Sequence, residues 1–84
     1  MYSINQLSER FKDITQEELL VMGYIQMEGG KAAYNYACQI LGSDNIRLAL
    51  KNEYIQDNNM GMIYLSTLGK LMLIYSQMPK LPSM

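Results

Sequence analysis

Leu41-Gly42-Ser43-Asp44-Asn45-Ile46-Arg47-Leu48-Ala49-Leu50-Lys51-Asn52 decides the fold, because an apolar helix end, a glycine and a new amphipathic helix follow one another without a linker. Upstream of it, Ala33, Tyr36, Ala37, Ile40 and Leu41 gather on one face at helical spacing, which predicts a helix over Lys31 to Leu41. Gly42 stands where a left-handed C-terminal cap belongs. Ser43 or Asp44 can then cap a helix through about Asn52, with Ile46, Ala49 and Leu50 facing inward and Asn45, Arg47, Leu48 and Lys51 on the other faces. Two short helices joined by a tight glycine turn make a helix-turn-helix.

Two further helices are expected before this motif. Ile4, Leu7 and Phe11 recur at helical spacing behind Ser3 and Gln6, a capping-box pair that predicts a helix over about residues 3–12. Thr15-Gln16-Glu17-Glu18 is a second capping box, and the helix it opens carries Leu19, Leu20, Met22, Ile25 and Met27 as far as Gly29-Gly30, whose freedom at positive φ suits a stop. After the motif the period changes. Tyr54-Ile55, the turn-rich Gln56-Asp57-Asn58-Asn59 and then Met60-Gly61-Met62-Ile63-Tyr64-Leu65 read as a β-hairpin. Ser66 can cap a last helix to about Gln77 through Leu68, Leu71, Met72 and Tyr75, and Pro79 ends it. The expectation is one domain over residues 1–84, with a core at 15–78, an N-terminal helix at 3–12 and a tail at 79–84. An all-helical bundle, with the hairpin misread, is the alternative.

The chain has 84 residues, 49% of them hydrophobic and 18% charged, which suits a single folded core. Seven basic and eight acidic side chains give a formal charge of −1, so no bulk positive field draws it to nucleic acid. A lone cysteine, Cys38, forms no internal disulfide and reads as a small buried thiol in a reducing, cytoplasmic setting. The N-terminal stretch has neither the basic nor the apolar region of a secretory signal, and no apolar run approaches the ~20 residues that cross a bilayer. With no histidine, neither a Ser-His-Asp nor a Cys-His site can be assembled, and the common zinc ligand sets are missing. Glu17 and Glu18 read as helix-start residues rather than an acid/base pair, and Gly29-Gly30-Lys31 lacks the rest of a phosphate loop. No enzyme activity, cofactor or metal is expected.

The order helix, helix-turn-helix, two-stranded wing, helix resembles winged-helix DNA-binding domains, so the fold class expected is mainly α with a small β-hairpin. Leu41 to Ile55 resembles the turn, the recognition helix and the start of the wing, although Glu53 stands where the family usually has glycine. Ile63-Tyr64-Leu65-Ser66-Thr67-Leu68-Gly69-Lys70 is similar to the exit from the wing in MarR-type (multiple-antibiotic-resistance) regulators, where a small hydroxyl residue precedes a glycine three positions on. The resemblance implies that the second helix of the motif enters the major groove of double-stranded DNA, bringing Ser43, Asn45, Arg47, Leu48 and Lys51 nearest to it. Arg47 would read guanine, Asn45 adenine or a phosphate, and Lys51 and Lys31 would hold phosphates. No basic residue lies between Gln56 and Tyr64, so the wing lacks the arginine common in the family.

Two function classes follow. One is a DNA-binding transcriptional or replication regulator, a homodimer joined through its terminal helices. The other is a winged-helix protein-interaction module, an adaptor or inhibitor without a DNA role, for which the eight methionines and seven tyrosines provide apolar contact surface. Arg47 and Lys51 are equally what a solvated helix face would carry.

Overall fold

The computed structural model describes residues 2–78. The expected tail at 79–84 and its stop at Pro79 lie outside the described residues. Five helices carry a small three-stranded antiparallel sheet: α1 (Ile4–Asp13), α2 (Gln16–Met27), β1 (Lys31–Ala33), α3 (Tyr34–Leu41), α4 (Ser43–Lys51), β2 (Ile55–Asp57), β3 (Met62–Leu65) and α5 (Thr67–Gln77). Among the described residues no helix is long and apolar enough to cross a membrane.

Both capping boxes form as the sequence indicates. Ser3 Oγ accepts from the Gln6 amide while Gln6 Oε1 accepts from the Ser3 amide, and Thr15 and Glu18 exchange the same pair of bonds. Glu18 goes further, because its side chain is buried and its second carboxylate oxygen accepts from Asn52 Nδ2 at 2.8 Å. The start of α2 is thereby tied to the end of α4, 34 residues away. Glu17, its neighbour, stays in solvent.

The chain departs from expectation after α2. Residues Lys31 to Ala33 are a strand, not the first turn of a helix, and α3 begins only at Tyr34. Gly29 and Gly30 take φ of 91° and 99°, turning the chain out of α2, and the next three residues run extended along β3 with Lys31 opposite Tyr64, Ala32 opposite Ile63 and Ala33 opposite Met62. Strand order is β1-β3-β2, so β3 is the central strand and the hairpin is part of a sheet. Alanine is a good helix former, but here its small side chain lets Ala32 tuck into the core beneath the sheet. In the hairpin, β2 extends to Asp57, and Met60 and Gly61 belong to the turn, where Asn59 and Gly61 take φ of 61° and 86°.

One core joins all of these elements. Val21, Met22 and Ile25 of α2, Ala37 of α3, Ile46 and Ala49 of α4, Ile55 and Ile63 of the sheet and Leu68 and Met72 of α5 form a single cluster. Leu7 is the one α1 residue in it, and the Phe11 ring packs on Tyr75 of α5 with centroids 5.1 Å apart. At the junction of sheet and α5, Ser66 Oγ donates to the carbonyls of Glu53 and Tyr54 and accepts from the Gly69 amide. Gly69 lies so close to the strand that a Cβ there would stand 2.0 Å from the Tyr54 carbonyl oxygen. Ser66 and Gly69 thus join the residues that lead into β2 to the start of α5.

Candidate nucleic-acid interface

Gly42 holds α3 and α4 together. With φ of 90° and ψ of 132° it ends one helix, its amide donating to the Cys38 carbonyl at 2.9 Å, and opens the next, its carbonyl accepting from the Ile46 amide at 3.2 Å. Neither Ser43 nor Asp44 caps α4: Gly42 itself is the N-cap and no side-chain cap bond forms. Asn45 takes up the polar work instead, with Nδ2 donating to the Leu41 carbonyl at 2.7 Å. An amide closing the end of α3 is occupied by the fold, and Asn45 is half-buried.

Burial of Ile46 and Ala49 fixes which side of α4 faces out. Ser43, Arg47 and Lys51, spaced four apart, line one exposed face along the length of the helix. Leu48 is half-buried. Asp44 shares the open face, and its Oδ1 accepts from Arg47 Nη2 at 2.8 Å, with the two side chains 93% and 66% exposed. Ser43 Oγ lies 3.5 Å from the same nitrogen. Lys31, placed by the sequence at a helix start, is exposed on strand β1 instead, opposite Tyr64 and one strand removed from Gln56. Of the six residues named from the sequence, three stand together on α4, two are drawn into the fold and one belongs to the sheet.

Tyr34, one of the tyrosines expected to provide apolar contact surface, is half-buried instead, its amide donating to the Gly61 carbonyl of the hairpin turn at 2.8 Å. Cys38, one turn further along α3, pushes the phenol pKa up; burial and the Asp57 carboxylate add to the shift, and the Arg47 guanidinium opposes it. A shallow depression of about 200 Å³ lies beside Tyr34, lined by Asn35, Asp57, Asn59, Gly61 and Met62. The hairpin tip is polar rather than basic, its turn tied by Asp57 Oδ1 accepting from the Asn59 amide and Asn58 Oδ1 accepting from the Met60 amide. A larger open groove of about 610 Å³ runs along β2, with Glu53, Asp57 and Thr67 among its walls.

No family model, curated protein or solved structure matches this chain. The chemistry of the face is therefore read from its own side chains. One guanidinium, one ammonium and one hydroxyl, all solvent-facing on a helix whose back is packed, can bind an anionic surface or donate to base edges. Among the described residues, no group of three or more His, Cys, Asp or Glu side chains is placed to hold a metal ion.

Proposed function

We propose that the chain is a winged-helix domain that binds double-stranded DNA, a small cytoplasmic regulator of transcription or replication that acts by occupying a site rather than by catalysis. The observation that carries this reading is the glycine-joined pair α3–α4, which leaves Ser43, Arg47 and Lys51 in a row on an otherwise anchored helix. In the docking this order of elements supports, α4 is the recognition helix and β2–β3 the wing. Arg47 contacts a guanine or phosphate, Lys51 and Ser43 hold phosphates, and Lys31 meets the backbone from the sheet. Pairing of two copies through α1 and α5, where Ile4, Ile74 and the C-cap residue Met78 are exposed, would place two such helices on one duplex.

The same face also favours a second reading. Asp44 beside Arg47 and Asp57 in a hairpin without cations suit a protein partner better than a polyanion, which would make the domain an interaction module. Selection from a random duplex pool at two salt concentrations separates the two. A DNA reader enriches a sequence with salt-sensitive affinity, Arg47→Ala relaxes that preference, and Lys51→Ala weakens binding to all sequences alike. Absence of binding at low salt would refute the regulator and leave the module.

A further inference from the structure

Strand β2 lies at an edge of the sheet, because the strand order is β1-β3-β2. The Tyr54 carbonyl accepts from the Ser66 amide at 3.1 Å and the Asn58 amide donates to the Met62 carbonyl at 3.0 Å. Bonded positions alternate along an antiparallel ladder, so Gln56 turns its amide and carbonyl to Tyr64 of β3, while Ile55 and Asp57 turn theirs outward. Among the described residues no hydrogen bond reaches these two outward amides and two outward carbonyls. Ile55 is nonetheless only 1% exposed, and buried main-chain groups are almost always paired.

The unpaired edge borders the groove of about 610 Å³, whose walls include Glu53, Ile55, Asp57, Tyr64 and Thr67 and no lysine or arginine. Glu53 and Asp57 are exposed and stand four residues apart along this stretch. The Glu53 carboxylate has neither an ion-pair nor a hydrogen-bond partner among the described residues, and the Asp57 carboxylate holds only the Asn59 amide. Glu53 occupies its place at a φ of 66°, where glycine would be unstrained.

Main chain and charge together select the occupant. Free amides and carbonyls alternating along a strand edge are completed by another extended chain. The two carboxylates repel the phosphates of a nucleic acid. They also disfavour a second copy of this protein, because pairing β2 with its own equivalent gathers the carboxylates of both copies along one edge. We propose that the β2 edge binds an extended basic segment of another protein, which adds a fourth strand by pairing with the main chain of Ile55 and Asp57 and sets two cations, four residues apart, against Glu53 and Asp57. The site uses neither Arg47 nor Lys51, so it stands whether or not α4 binds DNA.

The probe is the peptide Ac-Lys-Thr-Val-Thr-Lys-NH2, titrated at low salt into the full chain labelled with nitrogen-15 and followed by nuclear magnetic resonance. The Ile55 and Asp57 amide resonances should move downfield, and exchange of the Asp57 amide should slow about tenfold when the peptide is at ten times its Kd. N-methylating the peptide amides that face β2 should abolish binding, whereas methylating the alternate ones should not, a period of two that a purely electrostatic contact lacks. The double variant Glu53→Gln with Asp57→Asn keeps the side-chain shapes and should weaken binding roughly tenfold, a difference that salt removes. Arg47→Ala should bind the peptide as the wild type does, which keeps this result separate from the fate of the DNA reading. The proposal is overturned if the peptide does not bind, if both methylated series bind alike, or if a peptide with glutamates in place of its lysines binds as well. A DNA duplex that protects the Ile55 and Asp57 amides where the peptide does not would also overturn it.

Discussion

Replacing Gly69 with alanine tests the joint between the sheet and α5. The new Cβ would lie 2.0 Å from the Tyr54 carbonyl oxygen and 3.0 Å from its carbon, both backbone atoms, and 3.3 Å from Leu65 Cδ2. The Tyr54 carbonyl cannot withdraw freely, because it accepts from the Ser66 amide at 3.1 Å and from Ser66 Oγ at 3.0 Å. Overpacking of this kind costs about 1–3 kcal/mol, and disturbing the two hydrogen bonds adds roughly 1 kcal/mol each. Better helix propensity returns only about 0.5–1 kcal/mol. The net expectation is a loss of about 3 kcal/mol, which in a domain of this size lowers the melting temperature by roughly 10–20 °C. Urea denaturation followed by far-ultraviolet circular dichroism measures it in a chain without tryptophan. Ser66→Ala acts on the same carbonyl, so the double variant should lose less than the sum of the two. A Gly69→Ala protein within about 0.5 kcal/mol of the wild type would refute the close approach.

Three other outcomes follow from named contacts. Glu53 holds a φ of 66°, so Glu53→Gly should stabilise the fold by about 1 kcal/mol, read from the same denaturation curves. Glu18→Ala removes a buried carboxylate with three donors and should cost about 2–3 kcal/mol; Asn52→Ala costs less, and a double-mutant cycle should show the two coupled although they are far apart in sequence. Asn45→Ala should lower stability by about 1 kcal/mol through loss of the bond to Leu41 while leaving any DNA sequence preference intact, and Arg47→Ala should do the reverse; duplex selection beside thermal melting reads both.

Local chemistry was legible in the sequence and distant pairing was not. Ser3 with Gln6, Thr15 with Glu18 and Ser66 before α5 declare helix starts within four residues of chain, and each start is where those side chains indicate. Lys31 to Ala33 misled because two alanines ahead of a helix continue its pattern, whereas the strand exists only through Met62 to Tyr64, about thirty residues further on. Asn45 was legible as polar and as belonging to α4, but its work lies with the carbonyl of the preceding helix, which helical spacing alone does not reveal. Glu53 shows the opposite case. The wing-start pattern asks for glycine there, the backbone is left-handed there, and the chain tolerates a glutamate because its side chain points to solvent.

The candidate site turns on whether Arg47 is committed to Asp44. Their contact is short, but both side chains are in water, and an exposed pair of this type contributes about 0.2–1 kcal/mol. A charge-assisted bond to a phosphate or base edge in a partly dehydrated groove contributes about 1.5–3 kcal/mol. On the proposed reading, a duplex would therefore outcompete the carboxylate for the guanidinium, and Asp44 would weaken binding without preventing it. Asp44 would remain on the helix after release and repel nearby phosphates, so a binding surface with two cations and one acid would favour sites where a base contact supplements the backbone. A domain with net charge of −1 and an uncharged hairpin has little non-specific electrostatic attraction to hold it on arbitrary DNA. If it binds DNA as proposed, its affinity would depend on pairing two such helices, because each copy would add its few contacts at the effective concentration set by the other. On the proposed reading, self-association and DNA binding would in this way be thermodynamically linked, and a variant that stays monomeric should lose DNA affinity even with Arg47, Lys51 and Ser43 untouched.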